Sequence, residues 1–276
     1  MSMDPGAQRA TFSVNAALVV AGLLVLLALA APLIAPFAPD AIDLAGRRAA
    51  PSSVHWFGTD DLGRDLLSRV LYGARVSLAI GILAAALTVA LGAGVGMVAG
   101  AAGRWIDALL MRIADAILAV PRLPLLMIAS VIVRPGVPVL ILLVAAVSWM
   151  ETARVVRAEV RSLVTRGFVE AAHAMGVKPL MSLWRHILPN VIPTLVVATT
   201  LAVGRSILLE SALSFFGVGV QPPTASWGNM LYQAQSTMAT EPWLALFPGA
   251  AILISVLTVN SLGERLSISR IGVRAS

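Results

Sequence analysis

Few side chains in this sequence have types and spacings suited to chemistry, and they are ionic rather than nucleophilic. Arg112 and Asp115 stand three residues apart and Arg122 lies seven beyond Asp115, which places all three on one helix face and predicts that they pair with one another. Farther along, Arg205, Ser206, Glu210 and Ser214 follow Asn190, Thr194 and Thr199, an unusual polar load in otherwise apolar sequence, with Ser206 and Glu210 sharing a face. Charges set in apolar surroundings face either a partner or a wet cavity. Catalytic patterns are missing from the sequence. It has no Cys, no Gly-x-Ser-x-Gly, no His-Glu-x-x-His and no Gly-x-x-x-x-Gly-Lys-Ser/Thr, and its single lysine is Lys178. His55, His173 and His186 fall outside the apolar runs, so neither a hydrolase nor a metal centre is expected.

The elements that must hold these charges are membrane helices. Of 276 residues, 58% are hydrophobic and 12% charged, against about 25% charged in an ordinary soluble domain. The mean hydropathy of +0.89 comes from long blocks of Ala, Val and Leu, which excludes a disordered tail, a collagen-like repeat or a nucleic-acid-binding domain. A helix crossing the hydrocarbon core needs about 20 apolar residues. The uncharged stretches 10–39, 76–103 and 242–263 meet that need, while 135–150 and 187–204 are uncharged but short. The stretch 105–133 is interrupted by Asp107, Arg112, Asp115 and Arg122. Read as one helix, it would run on the order of 40 Å at 1.5 Å per residue and cross lipid only in its second half. The expectation is therefore an all-α membrane protein with six transmembrane helices.

Orientation follows from the basic residues of the connecting segments. With the N-terminus inside, Arg9, Arg104, Arg154, Arg157, Arg161, Arg166, Lys178, Arg185, Arg265, Arg270 and Arg274 lie inside, and Arg47, Arg48, Arg64, Arg69 and Arg134 outside. This predicts cytoplasmic N- and C-termini. A secretory signal ending near 28–31 is the competing reading of the first span, although its apolar block exceeds the 7 to 15 residues of a typical signal core. In organisation, 1–74 reads as a tail, first span and outer loop, and 75–276 as a core of five spans with a cytoplasmic loop at about 156–188. Gly92, Gly96 and Gly100 at i, i+4, i+8 mark the second span as an inner helix packed closely against neighbours.

That cytoplasmic loop is too long for a simple turn. Phe168, Ala171, Ala172 and Met175 recur at helical spacing and predict an apolar stripe on a short helix, which Gly176 closes in a left-handed conformation. Lys178-Pro179 opens a second short helix, and Trp184, Ile187 and Leu188 lead back toward the membrane with Pro189 near a helix start. Together they predict an amphipathic elbow suited to a groove on another protein.

Glu170-Ala171-Ala172, then Gly176, then Leu188-Pro189, resembles the EAA coupling loop of the permeases of ATP-binding-cassette (ABC) importers. His186 stands where the general pattern has an aliphatic residue, as in the peptide-permease branch. The segments His55-Trp56-Phe57-Gly58-Thr59-Asp60-Asp61-Leu62-Gly63-Arg64-Asp65 and Ser214-Phe215-Phe216-Gly217-Val218-Gly219-Val220-Gln221-Pro222-Pro223 are similar to the C-type inner-membrane subunit of dipeptide, oligopeptide and nickel importers. Departures fall at Trp56, Met150 and Glu151, where Pro or small residues are expected, and at a shortened outer loop, 134–138.

The resemblance implies a type I ABC importer permease fold in the inner membrane, a multi-pass subunit forming half of a translocation pathway for peptides, or alternatively for nickel or another small solute. It implies a second homologous permease, two ABC ATPase subunits and an extracytoplasmic solute-binding protein as partners, with ATP and Mg used by the ATPases, no cofactor on this chain and no nucleic acid. Glu170, Ala171, Ala172, Gly176, Leu188 and Pro189 would couple to the ATPases. Arg122, Arg205 and Glu210 are candidates for the path, with hydrogen bonding across helices the equal alternative for the polar groups of the fifth span, Arg205 and Glu210 among them, and a structural ion pair the favoured reading of Arg122 with Arg112 and Asp115. An ion-coupled secondary transporter is the rival class, but it would leave the elbow unexplained. The outer segment 55–75 is expected either as an interfacial helix, Asp60 capping it and Leu62, Leu66 and Val70 toward lipid, or as a contact for the binding protein. The loop 221–242 is the stronger docking candidate, and Trp227, Tyr232 and Trp243 suit interface anchoring.

Overall fold

The computed structural model describes residues 5–133 and 136–274, with side chains over 15–133 and 136–267. Arg134 and the side chains of Arg9, Arg270 and Arg274, counted in the orientation argument, lie outside the described residues.

Among the described residues the regular structure is helical, with one isolated bridge between Thr59 and Asp65. Four helices are long and apolar enough to cross a membrane: 15–34 within α1 (Pro5–Ile34), α2 (Leu66–Ala101), the segment Pro179–Phe215, and Trp243–Ser267 within α11 (Trp243–Arg274). Two bent pairs, if each is counted as one span, bring the number among the described residues to as many as six. These are α3 (Arg104–Leu118) with α4 (Arg122–Val133), and α5 (Val137–Ala146) with α6 (Trp149–Val164).

The first pair corrects the reading of 105–133 as one straight helix. Its two halves are bent by 83° at 119–121, where Pro121 has no N–H to continue the ladder and biases the residue before it away from helical geometry. Arg122 therefore does not share the face of Arg112 and Asp115, and Asp115 and Arg122 both pair with α6 instead.

Helix α2 is the central post. It starts at the N-cap Asp65, whose carboxylate accepts from the Ser68 amide at 2.8 Å and hydroxyl at 2.7 Å. Residues 74 and 75 lie inside it. Its glycines carry the contact with α6. A Cβ added at Gly92 would meet the Trp149 carbonyl at 2.6 Å, at Gly96 the Ala153 carbonyl at 2.6 Å, and at Gly100 Val160 Cβ at 2.7 Å. Because lipid gives no hydrophobic drive for helix pairing, this backbone-to-backbone approach supplies the dispersion contact that holds the pair. Elsewhere Ile80 and Ala84 of α2 pack with Leu126 of α4, Leu140 and Val144 of α5, and Leu213 of α9 (Leu188–Phe215).

The segment preceding α2 is a folded cap rather than an interfacial helix. Asp60 closes a turn by accepting from the Leu62 and Arg64 amides at 2.9 and 3.0 Å, and its other oxygen pairs with Arg64 at 2.7 Å and Arg69 at 3.4 Å. Asp65, not Asp60, caps the helix, since only Asp65 stands one residue ahead of its first turn. Leu66 is buried with Met230 and Ala234 of α10 (Trp227–Ala234) and with Leu244, and Val70 packs on the same cluster, so neither faces lipid. Trp227 is likewise in the core, its Nε1 donating to the Val70 carbonyl at 3.0 Å, which replaces the interface-anchor expectation.

Candidate functional site

Two features stand out where the charges collect. The first is the elbow. Helix α7 (Gly167–Ala174) ends in a paired carbonyl cap: Gly176 donates to the His173 carbonyl at 2.9 Å and Val177 to the Ala172 carbonyl at 3.0 Å. Closing both bonds requires positive φ at Gly176, observed at +84°, as the sequence led one to expect. The chain reverses, Pro179 opens α8 (Pro179–Ser182), and a wide turn over Leu183–Ile187 carries it into α9, with Leu188 and Pro189 in the first turn. Helix α6 runs on to Val164, so the elbow proper is 165–187, shorter than the loop expected from charge alone.

The apolar stripe of α7 divides in two. Val169 and Ala172 point inward, Val169 joining Val156, Val160 and Leu163 of α6 with Ile187 and Val191 of the returning arm. Phe168, Ala171 and Met175 face outward with Leu180, Met181 and Trp184, and Met175 is 78% exposed. The expected single stripe is corrected accordingly, because α7 rests on α6 through Val169, one position off the predicted face. Glu170 sits exposed in the first turn of α7, without a hydrogen bond or ion pair among the described residues. One face of the elbow is thus rooted in two long helices, and the other is apolar and uncovered.

The second feature is a cavity of about 350 Å³ between α2, α4, α6, α9 and α11. Arg122 of α4 and Arg205 of α9 both line it, and Glu151 of α6 holds them together, one carboxylate oxygen on each guanidinium. Sequence reading paired Arg122 with the charges of its own stretch. The bend at Pro121 instead turns it toward α6. Asp115 pairs with Arg154 and Asp107 with Arg157 and Arg161, so a ladder of arginines one helical turn apart on α6 ties down α3. Glu151 stood out in the sequence only as a departure from the family pattern. An acid near the start of a membrane-depth helix was the signal that it needed a cationic partner.

Glu210 is not at this cavity. It is fully buried, and its oxygens accept from the Ser77 hydroxyl of α2 at 3.0 Å and from Ser214 at 2.8 Å. Ser77 accepts in turn from the Trp227 amide at 3.2 Å, so α2, α9 and α10 meet in one polar knot. Of the three candidate path residues, the structure brings two together and sets the third apart.

A bundle of bent apolar helices around a largely apolar cavity that holds two arginines and a glutamate, carrying an elbow with one face uncovered, fits a membrane permease subunit. The chain belongs to the family of binding-protein-dependent transport system inner membrane components, whose model matches residues 92–267. It is 43% identical over 237 residues, 85% of this chain and 78% of the relative, to a Brucella suis biovar 1 protein bearing the name of a peptide permease. It is 39% identical over 242 residues, 88% and 80% of the two chains, to the dipeptide transport system permease protein DppC of Alkalihalophilus pseudofirmus. To the glutathione transport system permease protein GsiD of Escherichia coli O6:K15:H31 it is 40% identical over 260 residues, 94% and 86% of the two chains. The chain is therefore a multi-pass inner-membrane permease subunit of an ABC importer.

Proposed function

We propose that this subunit forms half of the translocation pathway of a peptide importer, receiving its cargo from an extracytoplasmic solute-binding protein and working with a second homologous permease and two ABC ATPase subunits. The names of the relatives, peptide, dipeptide and glutathione permeases, all designate peptide cargo. In this reading both termini are cytoplasmic, the chain binds no cofactor and performs no catalysis, and ATP and Mg are used by the ATPases alone.

The observation that carries the mechanism is the two-sided elbow. Phe168, Met175, Leu180 and Trp184 offer an apolar face to a groove on the ATPase, beside the unpaired Glu170. Ala171, exposed on α7, joins that contact, and Ala172 keeps the helix close to α6. Gly176 fixes the angle of the bend, and Leu188-Pro189 starts the helix that receives the motion. Displacement of α7 reaches α6 and α9 through Val169 and Ile187, which share one cluster with Val156 and Val191. Those two helices hold Glu151 and Arg205, so the same movement reshapes the cavity.

Co-expression of this chain with a candidate second permease, two ABC ATPases and a solute-binding protein from the same organism provides the test. The reading requires that the membrane subunits purify as one complex and carry radiolabelled trialanine from the side of the binding protein only when ATP is supplied on the side that bears the ATPases. A chain that purifies alone and transports on an ion gradient without ATP would end it.

A further inference from the structure

We propose that the Arg122–Glu151–Arg205 cluster is a selectivity site for a carboxylate on the cargo, with Glu151 acting as an internal stand-in for that carboxylate when the cavity holds no solute. The inference rests on the permease reading above and deepens it. Charge is the first argument: two guanidiniums against one carboxylate leave the cavity wall with a formal excess of one positive charge. Each guanidinium has five N–H donors in a planar fork, and a single carboxylate shared between two forks leaves donors over for a second anion. Arg205 is placed to offer them, since its side chain is 54% exposed and lines the cavity.

Position is the second argument. Arg205 lies 17 residues into α9, roughly 25 Å from its start at 1.5 Å per residue, which sets it deep in the membrane rather than at an end. A cation at that depth that is not fully neutralised is costly unless its environment is a polar cavity that admits counter-charge. Thr88 of α2 lines the same cavity at only 3% exposure, and its hydroxyl has no hydrogen-bond partner among the described residues. The Ser148 hydroxyl, also on the wall, is in the same condition. Unsatisfied buried hydroxyls are rare in folded proteins. Both oxygens are closed to solvent as placed, and a side-chain rotation beside the two arginines would bring them to an incoming polar group.

The exchange that follows is simple. A cargo carboxylate takes the free donors of Arg205 and then displaces Glu151 from that guanidinium, while Glu151 stays with Arg122. No bond is made or broken covalently, and the net charge of the filled site is zero. When the cargo leaves, Glu151 bridges both arginines again, so α4, α6 and α9 are drawn together only in the empty state.

Equilibrium dialysis of radiolabelled trialanine and of trialanine amide against the purified permease and ATPase subunits, with the binding protein omitted so that the cavity alone reads the probe, is the experiment. Trialanine should bind at least fivefold more tightly than its amide, with the preference weakening as salt is raised. Glu151→Gln should strengthen trialanine binding severalfold, and Arg205→Gln should abolish the preference, while Arg205→Lys keeps a reduced one. Equal binding of acid and amide, no binding of either, or an unchanged preference in Arg205→Gln would overturn the proposal. If Arg205→Gln fails to assemble, the acid-to-amide ratio of the wild type and the Glu151→Gln effect still decide. ATP-driven trialanine uptake by the complete wild-type complex, alongside a negative dialysis result, would leave the permease reading standing and end only this one.

Discussion

The Ser77 hydroxyl of α2 donates to the carboxylate of Glu210 on α9 at 3.0 Å, across 133 residues of sequence, inside a knot that water does not reach. The bond, with the one from Ser214, gives Glu210 an architectural task at the junction of α2, α9 and α10. Glu210→Gln keeps an acceptor for the hydroxyls and should leave ATP-driven uptake within about twofold of wild type. Glu210→Leu removes the acceptor of the Ser77 and Ser214 O–H donors, which keep only the Trp227 and Val220 amides that donate to them, and should cost about 1–3 kcal/mol for each buried donor left unsatisfied. Thermal unfolding of the detergent-solubilised complex would show this as a lowered Tm. Loss of uptake in the Gln variant at unchanged Tm would place Glu210 on the path instead.

The stripe of small residues on α2 makes a contrast between two neighbouring glycines. A Cβ at Gly96 would sit 2.6 Å from the Ala153 carbonyl of α6, whereas one at Gly94 meets nothing within 4 Å. Gly96→Val should therefore push α2 from α6 and destabilise by about 1–3 kcal/mol, the usual range for overpacking. Gly94→Ala should be neutral or slightly stabilising, since Ala is the better helix former. Equal Tm values for the two variants would show that the helices are not held at this distance.

The two faces of the elbow should respond differently to the same chemical change. Val169 is fully buried against α6, and Phe168 beside it is exposed. Val169→Ser replaces a buried apolar side chain by a hydroxyl without a partner and should lower Tm. Phe168→Ser should leave the Tm of this chain unchanged and reduce the ATPase subunits recovered on purification, by severalfold when Trp184 is also replaced by Ser. Full recovery in the double variant would mean that the ATPases dock elsewhere.

What the sequence discloses and what it hides divide along the distance between partners. The elbow was legible because its determinants are local: Gly176 and Pro179 act through their own backbone geometry, and the positive φ follows from the need to close a helix. Gly92, Gly96 and Gly100 gave a packing face but not its occupant, α6. The long-range pairs were hidden. Asp115 has an arginine three residues before it in sequence, yet it pairs with Arg154, because the bend near Pro121 and the arginine ladder of α6 outweigh an i, i+3 contact worth only a few tenths of a kcal/mol. Trp227 has the composition of an interface anchor and the surroundings of a core residue, a difference made by the Val70 carbonyl that accepts its N–H. Glu151 drew notice only as an oddity, although the cavity is organised around it.

The account depends most on the claim that the angle of the elbow transmits work between the ATPases and the helices. Gly176 isolates that claim, because an added Cβ there meets nothing within 4 Å and only the φ of +84° constrains the side chain. Asn tolerates that conformation better than other residues with a side chain, while a β-branched residue is a genuine outlier in it. The decisive measurement is ATP-driven trialanine uptake by the reconstituted complex carrying Gly176→Val or Gly176→Asn, with subunit assembly checked in the same preparations. The account predicts uptake reduced tenfold or more in the Val variant and within about threefold of wild type in the Asn variant, both complexes being assembled. Uptake at the wild-type rate in an assembled Gly176→Val complex would contradict it.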